Sequence, residues 1–219
     1  MYIFNKSFDT IVSLGGSCAT AKQLKFKKLR KCSYPFDWLF HNNNEALCYL
    51  IKAFETDFSD WMKRDKLIPL KYEERGDSPL NQYHDLNTGF NTIHDFHKPV
   101  EDDEEYNAVI TKYKRRISRL LDHISKSKHT LLILDARYPV CINCLADLKK
   151  VIESKYPNDV VQVLLFQFNA SENAYYENEW LAIRKMTRNH SNLEYNGEPC
   201  EWDILKEITL TSCNSVEQS

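Results

Sequence analysis

Thr10-Ile-Val-Ser-Leu-Gly-Gly-Ser-Cys-Ala-Thr-Ala21 decides how the chain is read. A β-branched apolar run ends in two glycines and a helix-compatible segment opens at a cysteine, so the stretch predicts strand, tight turn and helix. The strand is expected over Phe8 to Leu14 and the helix from Cys18 to about Lys28, with Ser17 as N-cap. Cys18 then falls in the first helical turn, where unpaired N–H groups and the positive end of the macrodipole favour thiolate over thiol. The same amides suit an oxyanion formed when a thiolate attacks a carbonyl. A plainer reading of the same residues is a glycine turn with a small cysteine packing the junction.

Working outward, 219 residues with 42% hydrophobic and 12% aromatic content suffice for one sizeable core, and no linker divides residues 1–219. The 29 basic and 31 acidic side chains give a net charge of −2, which argues against nucleic-acid binding as the main activity. No apolar run reaches membrane-spanning length and no secretory leader pattern is present, so no membrane association is expected. Seven cysteines, odd in number and irregularly spaced, suit a reducing compartment, and a cytoplasmic location is expected.

Asn42 to Glu45 opens a second helix, with Ala46, Leu47, Leu50, Ile51 and Phe54 on one stripe. From about 55 to 100 the pattern dissolves into an irregular insertion, with short strands expected at Leu67 to Tyr72 and Gly89 to His94. Asp102-Asp-Glu-Glu105 then precedes a basic amphipathic helix over Tyr106 to His123. One of its arginines could turn inward toward an anionic substrate or a structural carboxylate.

Strands are predicted at Thr130 to Leu134, Val160 to Phe168 and Asn192 to Tyr195. Helices are predicted at Cys141 to Lys155, Asn178 to Met186 and Trp202 to Ile208, before a polar tail over 211–219. This alternation predicts an α/β fold, three-layered, with a largely parallel sheet and helices on both faces.

Ser13-Leu-Gly-Gly-Ser-Cys18, Ala21, Leu24, Leu29-Arg30, Ser33-Tyr-Pro-Phe-Asp-Trp38, His94-Asp-Phe96 and Lys112-Tyr-Lys-Arg-Arg-Ile117 together resemble a bacterial and viral family of unknown function described as papain-like cysteine peptidases. The resemblance spans roughly the first half of the chain. It implies Cys18 as nucleophile and His94 as base, and the order Cys before His agrees with the papain-like label.

Ligand clefts of open parallel sheets lie beyond the carboxyl ends of the strands. That rule gathers Gly15, Gly16, Ser17 and Cys18 with Asp135, Arg137, Asn169 and Glu198. Asp37 or Asp135 is better placed than Asp95 to orient His94, since neighbours on an extended chain face opposite ways. Asp37 alternatively holds a loop through backbone amides.

The chemistry expected is therefore a cysteine-dependent hydrolase or acyl-transfer enzyme acting on a peptide or a small acyl or glycan substrate. No metal is expected, because His94-x-x-His97 has no second ligand pair at zinc-like spacing. No cofactor is expected either: Gly15-Gly16 lacks the spacing of a dinucleotide fingerprint, and no Gly-Lys-Ser/Thr follows for a P-loop. Cys141-Ile-Asn-Cys144 has redox-motif spacing but no thioredoxin-like surroundings, so two ordinary helix cysteines are expected. The rival from another class is a binding module whose glycine turn and arginines recognise an anionic sugar, nucleotide or peptide group.

Overall fold

A computed structural model describes residues 5–41, 44–70, 80–168, 176–186 and 199–211. Its main sheet has five strands, β2 (Thr10–Ser13), β7 (His129–Ala136), β8 (Val160–Phe168), β10 (Leu181–Met186) and β9 (Tyr176–Glu177), in that spatial order. The first four run parallel and β9 lies antiparallel at the edge. A short parallel pair, β1 (Ser7–Phe8) with β11 (Thr209–Leu210), closes the chain ends against each other.

Every residue of β2 is buried, as are seven of the eight in β7, the pattern of strands covered on both faces. Alternation sorts the two faces. Val12, Leu132, Leu134, Val163 and Leu165 join one apolar cluster, while Ile11, Leu131, Ile133, Leu164 and Phe166 join another. The first cluster is covered by α2 (Glu45–Glu55), α3 (Asp103–Lys126) and α4 (Ile142–Lys155). The second is covered by α1 (Cys18–Phe26) and by a 3₁₀ segment over Pro199–Glu207, whose buried Trp202 lies 4.5 Å from the Phe166 ring. Helices on both faces of a mostly parallel sheet give the expected α/β class.

The middle of the chain is more regular than its composition suggested. β3 (Leu39–Phe40), β6 (Asn91–Phe96), β5 (Asn81–Asp85) and β4 (Leu67–Pro69) form a four-stranded antiparallel sheet. Its apolar side chains belong to the same cluster as α2 to α4. A bulge in β6 opposite Asn81 and Tyr83 interrupts the pairing between Thr92 and Phe96.

The segment expected as a helix over Asn178 to Met186 is instead strand β10, registered from Leu181↔Val163 to Met186↔Phe168. Its leucine, alanine, lysine and methionine favour helix locally, but the open edge of β8 offers six ladder partners and burial for Leu181, Ala182 and Met186. The strand expected at Asn192 to Tyr195 lies outside the described residues.

At the opposite end of the main sheet, Asp159 is buried just before β8, and neither carboxylate oxygen has a well-formed hydrogen bond among the described residues. Burial raises its pKa to about 6, only partly offset by the neighbouring Thr130 hydroxyl. An acid whose folded pKa lies above its unfolded value takes up a proton on folding, so this contribution to stability falls as pH rises from about 4 to about 6. Asp159→Asn is therefore expected to raise the melting temperature at pH 7.5, with the gain shrinking toward pH 4. A gain independent of pH, read by calorimetry, would contradict this.

Candidate functional site

The turn between β2 and α1 is built on Asp135, the seventh residue of β7. Its carboxylate accepts the Ser17 N–H at 3.0 Å through one oxygen and the Ser17 hydroxyl through the other. Ser17 Oγ in turn accepts the Ala19 N–H at 3.1 Å and so caps α1, as the sequence predicts. Cys18 follows as the first helical residue, half-buried, with its thiol unpaired.

Gly15 and Gly16 have φ of +85° and +95°, the left-handed region that favours glycine. A Cβ on Gly16 would stand 1.9 Å from the Asp135 carbonyl oxygen. The backbone of the turn thus lies directly on the strand that clamps it. Burial pushes the Asp135 pKa up to about 6 against the Ser17 bonds and the neighbouring Arg137 charge.

Arg137 sits two residues beyond Asp135, with its guanidinium 5.6 Å from the Phe40 ring. Gly15, Gly16, Ser17, Cys18, Asp135 and Arg137 therefore share the carboxyl edge of β2 and β7. Asn169 and Glu198 lie outside the described residues.

Asp37 is committed elsewhere. Its buried carboxylate is paired with Arg30 and accepts the Tyr34 N–H at 3.0 Å. Burial outweighs these bonds and raises its pKa. The Ser33-to-Trp38 motif is in this respect a loop closed on its own acid and on Arg30, which also donates to Ser33 Oγ at 2.9 Å.

The acid of His94-Asp-Phe96 has a similar role. Asp95 is buried and bridges to α3, accepting Lys112 Nζ at 2.7 Å and Tyr113 Oη at 2.7 Å. Lys112 thus reaches Asp95 from α3, and two arginines of the same helix also turn inward: Arg116 lies over the Tyr113 ring at 5.4 Å with one guanidinium nitrogen buried and its charge acting on Asp37, and Arg119 donates to the Ser33 carbonyl at 3.4 Å. His94 itself is exposed on the bulge of β6, with no hydrogen-bond or ion-pair partner among the described residues.

The imidazole that packs beside the turn is another one. His41 is buried, accepts or donates through Nδ1 to Tyr138 Oη at 2.9 Å, and packs edge-on against Phe90 at 5.1 Å. Phe90 in turn lies within 3.4 Å of where a Gly15 Cβ would be. Burial lowers the His41 pKa to about 4, so the ring is neutral at physiological pH. His41 and Tyr138 carried no motif in the sequence. Their only signals were their positions, one residue past β3 and two past β7.

A cavity of about 590 Å³, lined by Asp9, Thr10, Lys31, Asp122, His123 and Lys126, lies at the amino end of β2 and β7. It shares no residue with the Cys18 turn. Among the described residues no helix is long and apolar enough to cross a membrane.

A family model described as "Putative papain-like cysteine peptidase (DUF1796)" matches residues 9–152, from the start of β2 nearly to the end of α4. The match contains Cys18, Asp37, His41, His94, Asp135 and Arg137. An uncharacterized protein, R408 of Acanthamoeba polyphaga mimivirus, is 28% identical over 160 residues, covering 61% of this chain and 65% of its own length. The chain thus spans a little under two-thirds of that relative. No solved structure matches.

Gly16→Ala tests the turn directly. It is expected to destabilise by at least about 3 kcal/mol or to prevent folding, because both the positive φ and the backbone of Asp135 oppose a Cβ. Gly89→Ala is the reference, since its clash is with the movable Tyr49 ring at 2.6 Å. Chemical denaturation giving equal losses for both would contradict the clamp.

Proposed function

The chain belongs to this family, and from that premise we propose a cysteine-dependent hydrolase or acyl-transfer enzyme in which Cys18 is the nucleophile and His94 its base. The observation that carries the reading is the Asp135 clamp, which places an unpaired, half-exposed thiol at the amino end of α1. A thiolate there gains from the helix dipole and from nearby N–H groups.

In this reaction the Cys18 sulfur attacks the carbonyl carbon of an acyl donor and the carbonyl oxygen becomes an oxyanion. The Ser17 and Ala19 amides are already bonded to Asp135 and to Ser17, so the Cys18 amide is the donor nearest the sulfur for that charge. His94 would take the thiol proton and return it to the leaving group, and water or a second nucleophile would then release the acyl group.

Two features support His94 in that part. Bulges commonly re-aim a side chain beside an active site, and the two bonds of Asp95 to α3 fix this one. β6 also pairs with β3, whose Leu39 carbonyl abuts the Gly15 turn. Arg137 would recognise a carboxylate or other anionic group of a peptide or small acyl or glycan substrate.

The rate of Cys18 alkylation by iodoacetamide between pH 5 and 9, with site mapping by mass spectrometry, tests this. Cys18 is expected to react about tenfold or more faster at pH 6 than an ordinary thiol, and His94→Gln is expected to abolish the excess. If His41→Gln abolishes it and His94→Gln does not, the base is wrongly assigned. A Cys18 rate no greater than that of the other thiols across this range, unaffected by either variant, favours the binding-module reading instead.

A further inference from the structure

Three thiols gather on the side of α2 and α4, outside the site just described. Cys141 is the N-cap of α4, and its Sγ accepts the Cys144 N–H at 3.4 Å. The two side chains stand at i and i+3, on adjacent turns of one helix face. Cys48, exposed on α2, lies across the α2–α4 contact, where it acts electrostatically on Cys144. All three are free thiols.

The segment leading into Cys141 is fixed from α2 as well. Asn44 donates through Nδ2 to the Pro139 carbonyl at 2.7 Å and accepts the Cys141 N–H through Oδ1 at 2.9 Å. Both thiols are half-buried; the first is held at a helix start by two elements, while the second packs against the core. Such an arrangement makes the two sulfurs unequal, which is what directional thiol–disulfide exchange needs.

We propose that Cys141 and Cys144 form a redox-active dithiol that reacts with small-molecule disulfides, Cys141 attacking and Cys144 resolving. Cys141 gives its proton to solvent, and its thiolate attacks one sulfur of the small disulfide, whose S–S bond breaks. A mixed disulfide forms on Cys141, and the small thiolate leaves and takes a proton from water.

Cys144 then gives up its proton to solvent and attacks the Cys141 sulfur. The Cys141–Cys144 bond closes and the second small thiolate departs to be protonated in turn. Two protein thiols are oxidised and one disulfide is reduced to two thiols, with both protons accounted for.

The electrostatics agree with this division of labour. Hydrogen bonds from the Cys144 thiol and the Cys144 amide hold the Cys141 thiol below its usual range. The bond to Cys141, with burial, pushes Cys144 up to about 12. Among the described residues no three His, Cys, Asp or Glu groups are arranged to hold a metal ion.

The test is equilibration of the full chain with mixtures of reduced and oxidised glutathione, acid quenching, and peptide mapping by mass spectrometry. The tryptic peptide from Tyr138 to Lys149 is expected to become about 2 Da lighter as the mixture becomes more oxidising. Cys144→Ser should trap a glutathione adduct on Cys141, and Cys141→Ser should abolish the change. Serine at position 141 is itself a good N-cap, so that variant keeps α4 intact.

A Cys48–Cys144 link as the main product, or an adduct on Cys48 alone, would overturn the assignment. So would an unchanged peptide at every glutathione ratio. Because Cys18 lies in a different peptide, these outcomes are read independently of the hydrolase reading.

Discussion

The carboxylate of Asp135, taking both the amide and the hydroxyl of Ser17, is the interaction on which the arrangement of this protein turns. It joins the end of one buried strand to the start of the helix after another. Gly16 must pass over it with a positive φ, and the strand backbone leaves no room for a side chain. A buried acid so used costs desolvation, visible in its raised pKa, and the two Ser17 bonds together with Arg137 offset part of that cost. The consequence is a helix whose first residue, Cys18, is set in one place.

The acids of the Ser33-to-Trp38 and His94-to-Phe96 segments act in the same way at other joints. Asp37 ties its own loop to Arg30, and Asp95 ties the antiparallel sheet to α3 through Lys112 and Tyr113. Their shared chemistry is a carboxylate that gathers N–H and O–H donors where a loop would otherwise bury them unpaired. The Cys18 sulfur and the His94 imidazole differ from these residues in having no hydrogen-bond or ion-pair partner among the described residues. The two sheets place one of them on the parallel half of the fold and the other on the antiparallel half.

Much of the main sheet could be read from the chain because its strands are covered on both faces. Val160 to Phe168 is an apolar run interrupted only by Gln162 and Gln167, and the strand has those ends. Where tertiary context overrode local preference, reading failed. β10 is made of good helix formers recruited by the free edge of β8, and β5 is a polar run, Asn81-Gln-Tyr-His-Asp85, paired on both sides. The turn, its cap and the shared edge of Asp135 and Arg137 followed from the glycines and the strand-end rule. The His41–Tyr138 bond and the presence of Cys48 beside Cys144 did not, since each joins residues far apart in sequence, whereas the spacing of Cys141 and Cys144 was itself visible.

The clamp itself is open to one direct measurement, hydrogen exchange of the Ser17 amide followed by nuclear magnetic resonance. An N–H bonded to a buried carboxylate exchanges only when the turn opens, so protection close to that of Leu131 to Leu134 in the central strand is predicted. Exchange at the rate of an exposed loop amide would mean that Asp135 does not hold the turn, and with it the placement of Cys18 would fall.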